Sequence, residues 1–306
     1  MYGPAGERRL TELELDWLPG YEGSRPVRTG NAASAQFQLD VYGEVADTIH
    51  VSRKLGMTIE RSVSGVGIAI LDFLEDGWRQ PDEGIWEVRG GAQHFTHSKV
   101  MAGVAFDRAV KSITLLHADL GRDVTHLAAV RDEIHAEVCE QGFNTERDAF
   151  VQYYGSDALD ASLLMIPLVG FLPPDDERVA STVAAIEREL ICEGFVQRYE
   201  TANGVDGLPP GEGAFLPCSF WLADNLALMG RMPEARALYG RLIGLCNDVG
   251  LLAEEFDPAA GRMLGNFPQA MSHVALVNTA SNLSGTIGPA RSRSGIKGTV
   301  PANGAG

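Results

Sequence analysis

Positive charge is in short supply. Against 41 Asp and Glu the 306-residue chain sets only 25 Lys and Arg, a formal net charge of −16 at pH 7. Such a surface repels phosphate backbones and anionic lipid, which argues against nucleic acid or a membrane as partner and for a neutral or cationic ligand. Cysteine is sparse too: Cys139, Cys192, Cys218 and Cys246 lie far apart with no C-x-x-C spacing. That pattern indicates reduced thiols rather than a disulfide framework. The start Met1-Tyr2-Gly3-Pro4 lacks a basic region leading into an apolar run, so a cytoplasmic location is expected. Long apolar runs are missing as well; residues 159–172 come nearest and are interrupted by Pro167 and Gly170, too short a stretch to cross a bilayer.

Several catalytic signatures are also absent. No serine sits in a G-x-S-x-G elbow, and the glycine-rich runs at Gly84, Gly90-Gly91 and 207–213 do not lead into Lys and Ser or Thr as a phosphate-cradling loop does. Nucleotide chemistry is therefore unsupported. Strand-like alternation is scarce, and no 34- or 40-residue self-similarity points to a helical repeat array.

What remains is helix after helix. With 45% hydrophobic residues the chain can bury one large core or two modest ones. Apolar residues recur at spacings of three and four over 32–55, 59–78, 98–118, 124–141, 176–192, 220–229, 233–249 and 269–281. In the first of these Phe37, Val41, Val45 and Ile49 repeat every four residues, widened by Leu39 and Tyr42 into a broad buried face. Pro233 suits a helix start, Asn247-Asp248-Val249-Gly250 a stop, and Pro173-Pro174-Asp175-Asp176 a turn into a helix. The connections at 15–28, 79–97, 198–220 and 252–269 are long and rich in aromatic and acidic residues, and long loops on a rigid helical scaffold are usually functional. Residues 285–306 carry Gly, Pro, Ser and basic residues with few large apolar side chains. They read as a disordered tail behind a single domain over 1–284.

Two of the acidic loop segments set a glutamate beside large apolar side chains: Pro81-Asp82-Glu83-Gly84-Ile85-Trp86-Glu87 and Leu251-Leu252-Ala253-Glu254-Glu255-Phe256-Asp257. Apolar cover can hold a carboxyl protonated near neutral pH, and two carboxyls on separate loops are what glycosidic hydrolysis requires, one as acid and one as base. Taken alone, a glutamate in so acidic a chain is usually a solvated charge.

At these loops the chain resembles glycoside hydrolase family 15, the glucoamylase-like and trehalase-like inverting enzymes. The resemblance runs from about residue 6 to about 282. It is carried by the segments 17–28 (Trp-Leu-Pro-Gly-Tyr-Glu-Gly-Ser-Arg-Pro-Val-Arg), 38–44, 81–87, 94–99, 251–257 and 265–270, in family order and at family spacing. It implies an all-α fold, an (α/α)6 barrel with the sugar pocket formed by loops at one end. It also implies hydrolysis of α-glucosidic bonds, in oligosaccharides or trehalose; no cofactor is expected, and no metal-ligating residue is assigned. Glu87 looks like the general acid and Glu254 like the general base, with water attacking from the opposite face. An inverting pair of this kind stands roughly 6.5 to 9.5 Å apart.

The same resemblance makes Trp86 and Ile85 candidates for sugar contact, Trp86 by stacking on a pyranose face. Arg198 is the best candidate for a guanidinium that reaches the sugar, whereas for Arg25 and Arg28 a loop-pinning salt bridge is an equal reading. Glu255 is either a direct contact or a supporting carboxylate. The pairs His94/His97 and His135/Cys139 have ligand-like spacing but no evident third and fourth ligand, so hydrogen-bonded structural roles are expected.

Two departures qualify the resemblance. It begins partway into the family's catalytic domain, without the tryptophan and Arg-Asp block that grips the far end of the terminal glucose. The implied barrel is thus incomplete at its N-terminus, and faces such as that of 32–55 are expected to be exposed. The second departure is Val88, where fungal glucoamylases carry another glutamate; Trp86-Glu87-Val88-Arg89 is more like the trehalase-like branch. The rival expectation is an inactive helical fragment of such an enzyme.

Overall fold

The computed structural model describes residues 3, 5–200, 213–284 and 288–293. Its backbone divides into two units, one of residues 1–163 with 199–212, the other of 164–198 with 213–306.

The first unit opens with a short antiparallel ribbon of β1 (Leu13–Glu14) and β2 (Arg28–Thr29) and continues into α1 (Asp40–Lys54), α2 (Arg61–Gly77), α3 (Thr96–Leu116) and α4 (Val124–Gln141). A second ribbon pairs β3 (Phe143–Asn144) with β4 (Ala149–Phe150). Local chemistry explains the helix ends. Asp40 opens α1 and Arg53 and Lys54 close it, each sign matching the helix dipole. The Asp123 side chain caps α4 by accepting from Thr125 N at 3.0 Å. Helix α3 is buried on nearly its whole girth, packs on α1, α2 and α4, and supplies the core of this unit with Val100, Met101, Val104 and Phe106.

The second unit holds α5 (Met165–Leu168), α6 (Glu177–Glu189), a ribbon of β5 (Ile191–Cys192) and β6 (Phe195–Val196), and β7 (Ala214–Phe215). There follow α7 (Leu216–Leu228), α8 (Met232–Ile243), β8 (Glu255–Asp257), β9 (Arg262–Leu264), α9 (Ala270–Leu283) and α10 (Pro289–Arg293). Helix α7 is the central element here, packed by α8 and α9, with Phe220, Leu222 and Leu226 buried. Strands β7, β8 and β9 form an antiparallel sheet that sets Phe215 opposite Glu255 and Glu255 opposite Leu264.

Most helices fall where the apolar spacing sets them, and α4 has the expected ends. The segment 32–55 differs. Residues Ala32–Ala35 form a 3₁₀ turn, and α1 begins only at Asp40. The reason is tertiary: Phe37 N donates to Glu83 Oε2 and Leu39 N to Asp82 Oδ2, both at 2.9 Å, so side chains of the 81–87 loop take the donors a helix would have used. Helix α6 stops at Glu189 instead of running to 192, because Glu193 and Gly194, at φ 50° and 81°, turn β5 into β6. Two positive-φ residues are what a two-residue hairpin loop of type I′ requires. Val41 is exposed, as are Val63, Val66 and Phe73 on α2. Of the expected tail, Pro289–Arg293 form a short helix with Ala290 buried, and 285–287 and 294–306 lie outside the described residues.

Candidate active site

The loop carrying Glu87 is closed at its base by a bridge between Asp82 and Gln93, with N to O distances of 2.9 and 2.8 Å. Asp82 Oδ2 accepts from Leu39 N and from Ser98 Oγ at 2.8 Å, pinning the loop to the starts of α1 and α3. Gly84 has φ 67°, and a Cβ there would meet the Phe95 ring at 2.9 Å, so both conformation and space demand glycine. Ile85 and Trp86 are half-buried. The Trp86 indole Nε1 donates to both carboxylate oxygens of Asp160 at 2.9 Å, and its ring lies 6.2 Å from that of Tyr199.

Glu87 itself has φ 55°, a left-handed conformation that costs a non-glycine residue on the order of 1–3 kcal/mol and clusters at functional sites. It is held on two sides. Gln36 Nε2 donates to the carbonyls of Glu87 and Val88 at 3.3 and 3.0 Å, and Asn31 Nδ2 lies 3.5 Å from Glu87 Oε2. Val88 is buried and turned into the core.

Several ionisable groups near this loop are buried. Asp160 is 1% exposed and accepts from Gln152 Nε2 at 2.9 Å and Ser162 N at 2.7 Å as well as from Trp86. Burial pushes its carboxyl upward, and these donors oppose that. Asp40 is pushed up to about 7, chiefly by burial and then by the charges of Asp82 and Glu44. Lys99 donates to the carbonyls of Trp78 and Gln80 at 2.5 Å, and burial lowers its ammonium to about 8. The expected hydrogen-bonded role fails for His97: both ring nitrogens are buried without a partner among the described residues, and burial lowers the ring to about 4, so it packs as a neutral group. His94 stacks on Tyr154 at 6.0 Å.

In the second unit Glu254 stands just before β8. Its Oε2 accepts from Asn266 N at 3.0 Å and from Asn266 Nδ2 at 2.8 Å, while its backbone N donates to Asn266 O at 3.0 Å. Gly265, at φ 73°, lets the chain pass so close that a Cβ would come within 2.7 Å of Glu254 Oε2. The neighbouring Glu255 points elsewhere. Its Oε1 meets Arg198 Nη2 at 3.2 Å and its Oε2 accepts from Gly213 N at 3.1 Å. Burial raises the Glu255 carboxyl while Arg198 pulls it down. Arg198 lies over the Phe215 ring at 5.8 Å.

The two remaining arginine candidates lie at the surface of the first unit. Arg28 is bound to Glu14 at 2.9 Å and lies 3.7 Å from Glu12, the pinning role that was the alternative for it. Arg25 is exposed, on the segment before β2. Among the described residues no three His, Cys, Asp or Glu side chains gather as a metal would need, and no helix is long and apolar enough to cross a membrane. Sequence reasoning missed Asp160, Asn31 and Gln36. Asp160 had one local signal, its Asp-x-Ser spacing, now seen as the Ser162 N to Asp160 Oδ1 bond.

Solved structures place this arrangement in a fold class. A wild-type glycosidase superposes with a TM-score of 0.68 at 23% identity, over 87% of this chain and 74% of that one. A bacterial glucoamylase complexed with acarbose gives 0.68 at 15%, over 89% and 46%. The fold is thus the all-α, (α/α)6 barrel class of the glucoamylases, of which the chain holds part. The profile of "Glycosyl hydrolases family 15" matches residues 1–281, and the chain belongs to that family. Among curated relatives it is 45% identical over 280 residues to a trehalase of Mycobacterium tuberculosis, covering 91% of this chain and 40% of that protein. It is 39% identical to a trehalase of Thermoplasma volcanium, covering 90% and 43%. The chain therefore spans less than half the length of these relatives.

Proposed function

We propose that this chain carries the catalytic carboxylates of an α-glucoside hydrolase that works by single displacement with inversion, and that trehalose is its substrate. One observation supports the roles most directly. Each glutamate is held through its Oε2 by an asparagine, Glu87 by Asn31 and Glu254 by Asn266, and neither Oε1 has a hydrogen bond among the described residues. An acid needs one oxygen that offers its proton outward, and a base one oxygen that receives a proton from water. Glu254, with two N–H donors on one oxygen, suits the base. Glu87, beside the Trp86 indole, suits the acid.

In the reaction, the Glu87 proton passes to the glycosidic oxygen as the bond from C1 to that oxygen breaks and the oxygen keeps the electron pair. Water adds to C1 from the other face and gives its proton to Glu254. Trp86, fixed by Asp160, offers a face for the pyranose ring with Ile85 beside it, and Arg198, oriented by Glu255, donates to hydroxyls. The buried Val88 leaves Glu87 without a second carboxylate next to it. Together with two relatives named trehalase, this favours trehalose over a long glucan. Four free cysteines favour the cytoplasm.

The test is glucose release from trehalose, maltose and isomaltose by the purified chain, its Glu87→Gln variant and its Glu254→Gln variant. Trehalose is expected to be cleaved fastest, with a loss of roughly 10²- to 10⁴-fold in each variant. If the wild type releases no more glucose than the variants, the activity does not belong to this chain.

A further inference from the structure

The 3₁₀ turn of Ala32–Ala35 is bounded by two side chains that both reach Glu87. At its start Asn31 caps the turn, Oδ1 accepting from Ala33 N at 2.7 Å. That bond settles which end of the amide is oxygen, so the end facing Glu87 Oε2 at 3.5 Å is the NH2 group; a flipped amide would set oxygen against carboxylate and NH2 against N–H. At the end of the turn Gln36 meets two carbonyls, those of Glu87 and Val88, which only its own NH2 can satisfy. The turn is anchored in its own right, with Asn31 N donating to Leu10 O at 3.0 Å and Ala32 N to Glu12 Oε2 at 3.1 Å. A strained, left-handed glutamate is therefore gripped at its backbone and at one carboxyl oxygen by a single short segment.

We propose that residues 31–36 are the holder of the acid: Asn31 makes Oε2 of Glu87 the accepting oxygen, so that Oε1 carries the transferable proton, and Gln36 keeps the backbone that aims it. This rests on the reading of Glu87 as general acid. With Oε2 engaged by an N–H, the neutral carboxyl has its O–H at Oε1. Once that proton has gone to the glycosidic oxygen, the same N–H stabilises the carboxylate left behind. The contact is long at 3.5 Å, and catalytic hydrogen bonds often tighten in the reacting complex. Asn31 is thus a positioning residue, acting on the substrate only through Glu87.

Two substitutions separate the amide's duties. Asn31→Ser retains a capping oxygen for Ala33 N and loses the donor to Glu87. Asn31→Asp retains the cap and sets a carboxylate against Glu87. The substrates are trehalose, whose leaving group must be protonated, and α-glucosyl fluoride, whose leaving group need not be. On trehalose, kcat/KM is expected to fall ~10-fold for Ser and ~100-fold for Asp, while the rate on the fluoride stays within about threefold. The basic limb of the trehalose pH profile moves up by about half a unit for Ser and by about one unit or more for Asp. A ¹³C titration of the Glu87 carboxyl moves in the same order and needs no turnover. Equal losses on both substrates with an unmoved limb, or an unmoved titration midpoint in both variants, overturn the inference; thermal melts identify a variant that has merely unfolded. Glu87→Gln tests the underlying reading separately. Loss on trehalose with the fluoride still cleaved upholds Glu87 as acid whatever Asn31 does, and full activity on trehalose removes both claims.

Discussion

Replacing Asp40 by asparagine should make the protein more stable at pH 8 and less stable at pH 4. The carboxyl is 6% exposed at the start of α1, and its Oδ1 has no hydrogen-bond partner among the described residues. Burial, then Asp82 and Glu44, raise it from an ordinary 3.8 to about 7. For a carboxyl raised in the folded state, its favourable contribution is fully present below the unfolded value and is lost as pH rises through the folded one. The window therefore runs from 3.8 to about 7. About three units at 1.36 kcal/mol each give roughly 4 kcal/mol as the cost of holding Asp40 ionised. Asparagine has the neutral shape without that cost, but its NH2 needs an acceptor where Oδ1 now has no partner, which returns about 1–3 kcal/mol if none is found.

The net gain expected from Asp40→Asn at pH 8 is therefore about 1–3 kcal/mol, turning toward pH 4 into a loss of about 1–3 kcal/mol, because the NH2 cost remains where the ionisation cost is gone. Urea denaturation of both proteins at several pH values, followed by circular dichroism, measures it. Only the difference between the two curves matters, because other buried carboxyls such as Asp224, itself raised to about 7, contribute to both alike. A difference that does not change with pH, or an Asp40→Asn protein less stable at pH 8 than at pH 4 relative to wild type, refutes the reasoning.

Two further outcomes follow from the site. Asp160→Ala orphans the donors of Trp86, Gln152 and Ser162; at ~1–3 kcal/mol for each buried orphan, offset by removal of a desolvated charge, thermal and urea unfolding should show a loss of about 3–5 kcal/mol. Tryptophan fluorescence should change with it, and an unchanged stability denies that Asp160 holds the indole. Gly265→Ala puts a Cβ within 2.7 Å of Glu254 Oε2 at φ 73°; it should cost about 1–2 kcal/mol and lower kcat by about tenfold or more, and wild-type kcat would mean that Glu254 is not the base.

The helices were legible because their signals are local. Asp123 and Gly142 flank α4, and its ends agree with the apolar periodicity. The extended stretch before α1 was not legible, since what unwinds it is Asp82 and Glu83, more than forty residues away, taking the backbone donors of Leu39 and Phe37. The hairpin after α6 had a readable cue in Glu193-Gly194, outweighed by the helical pattern before it. At the site, the two glutamates could be picked out because each lies in a contiguous block with its neighbours. Their supports could not, because the partners come together only in the fold: Trp86 and Asp160 are 74 residues apart, Asn31 and Glu87 56. Asn266 belongs to a recognised block, yet its hold on Glu254 becomes visible only when β8 and β9 pair.

The measurement that bears most directly on the account is ¹H NMR of the anomeric protons during trehalose hydrolysis by this chain, read before the products equilibrate. Inversion at C1 gives one β-glucose, from the attacked ring, for each α-glucose that departs unchanged, so the account predicts equal initial amounts of the two anomers, and neither from Glu87→Gln or Glu254→Gln. Initial release of α-glucose alone, or a wild-type rate from either variant, contradicts it.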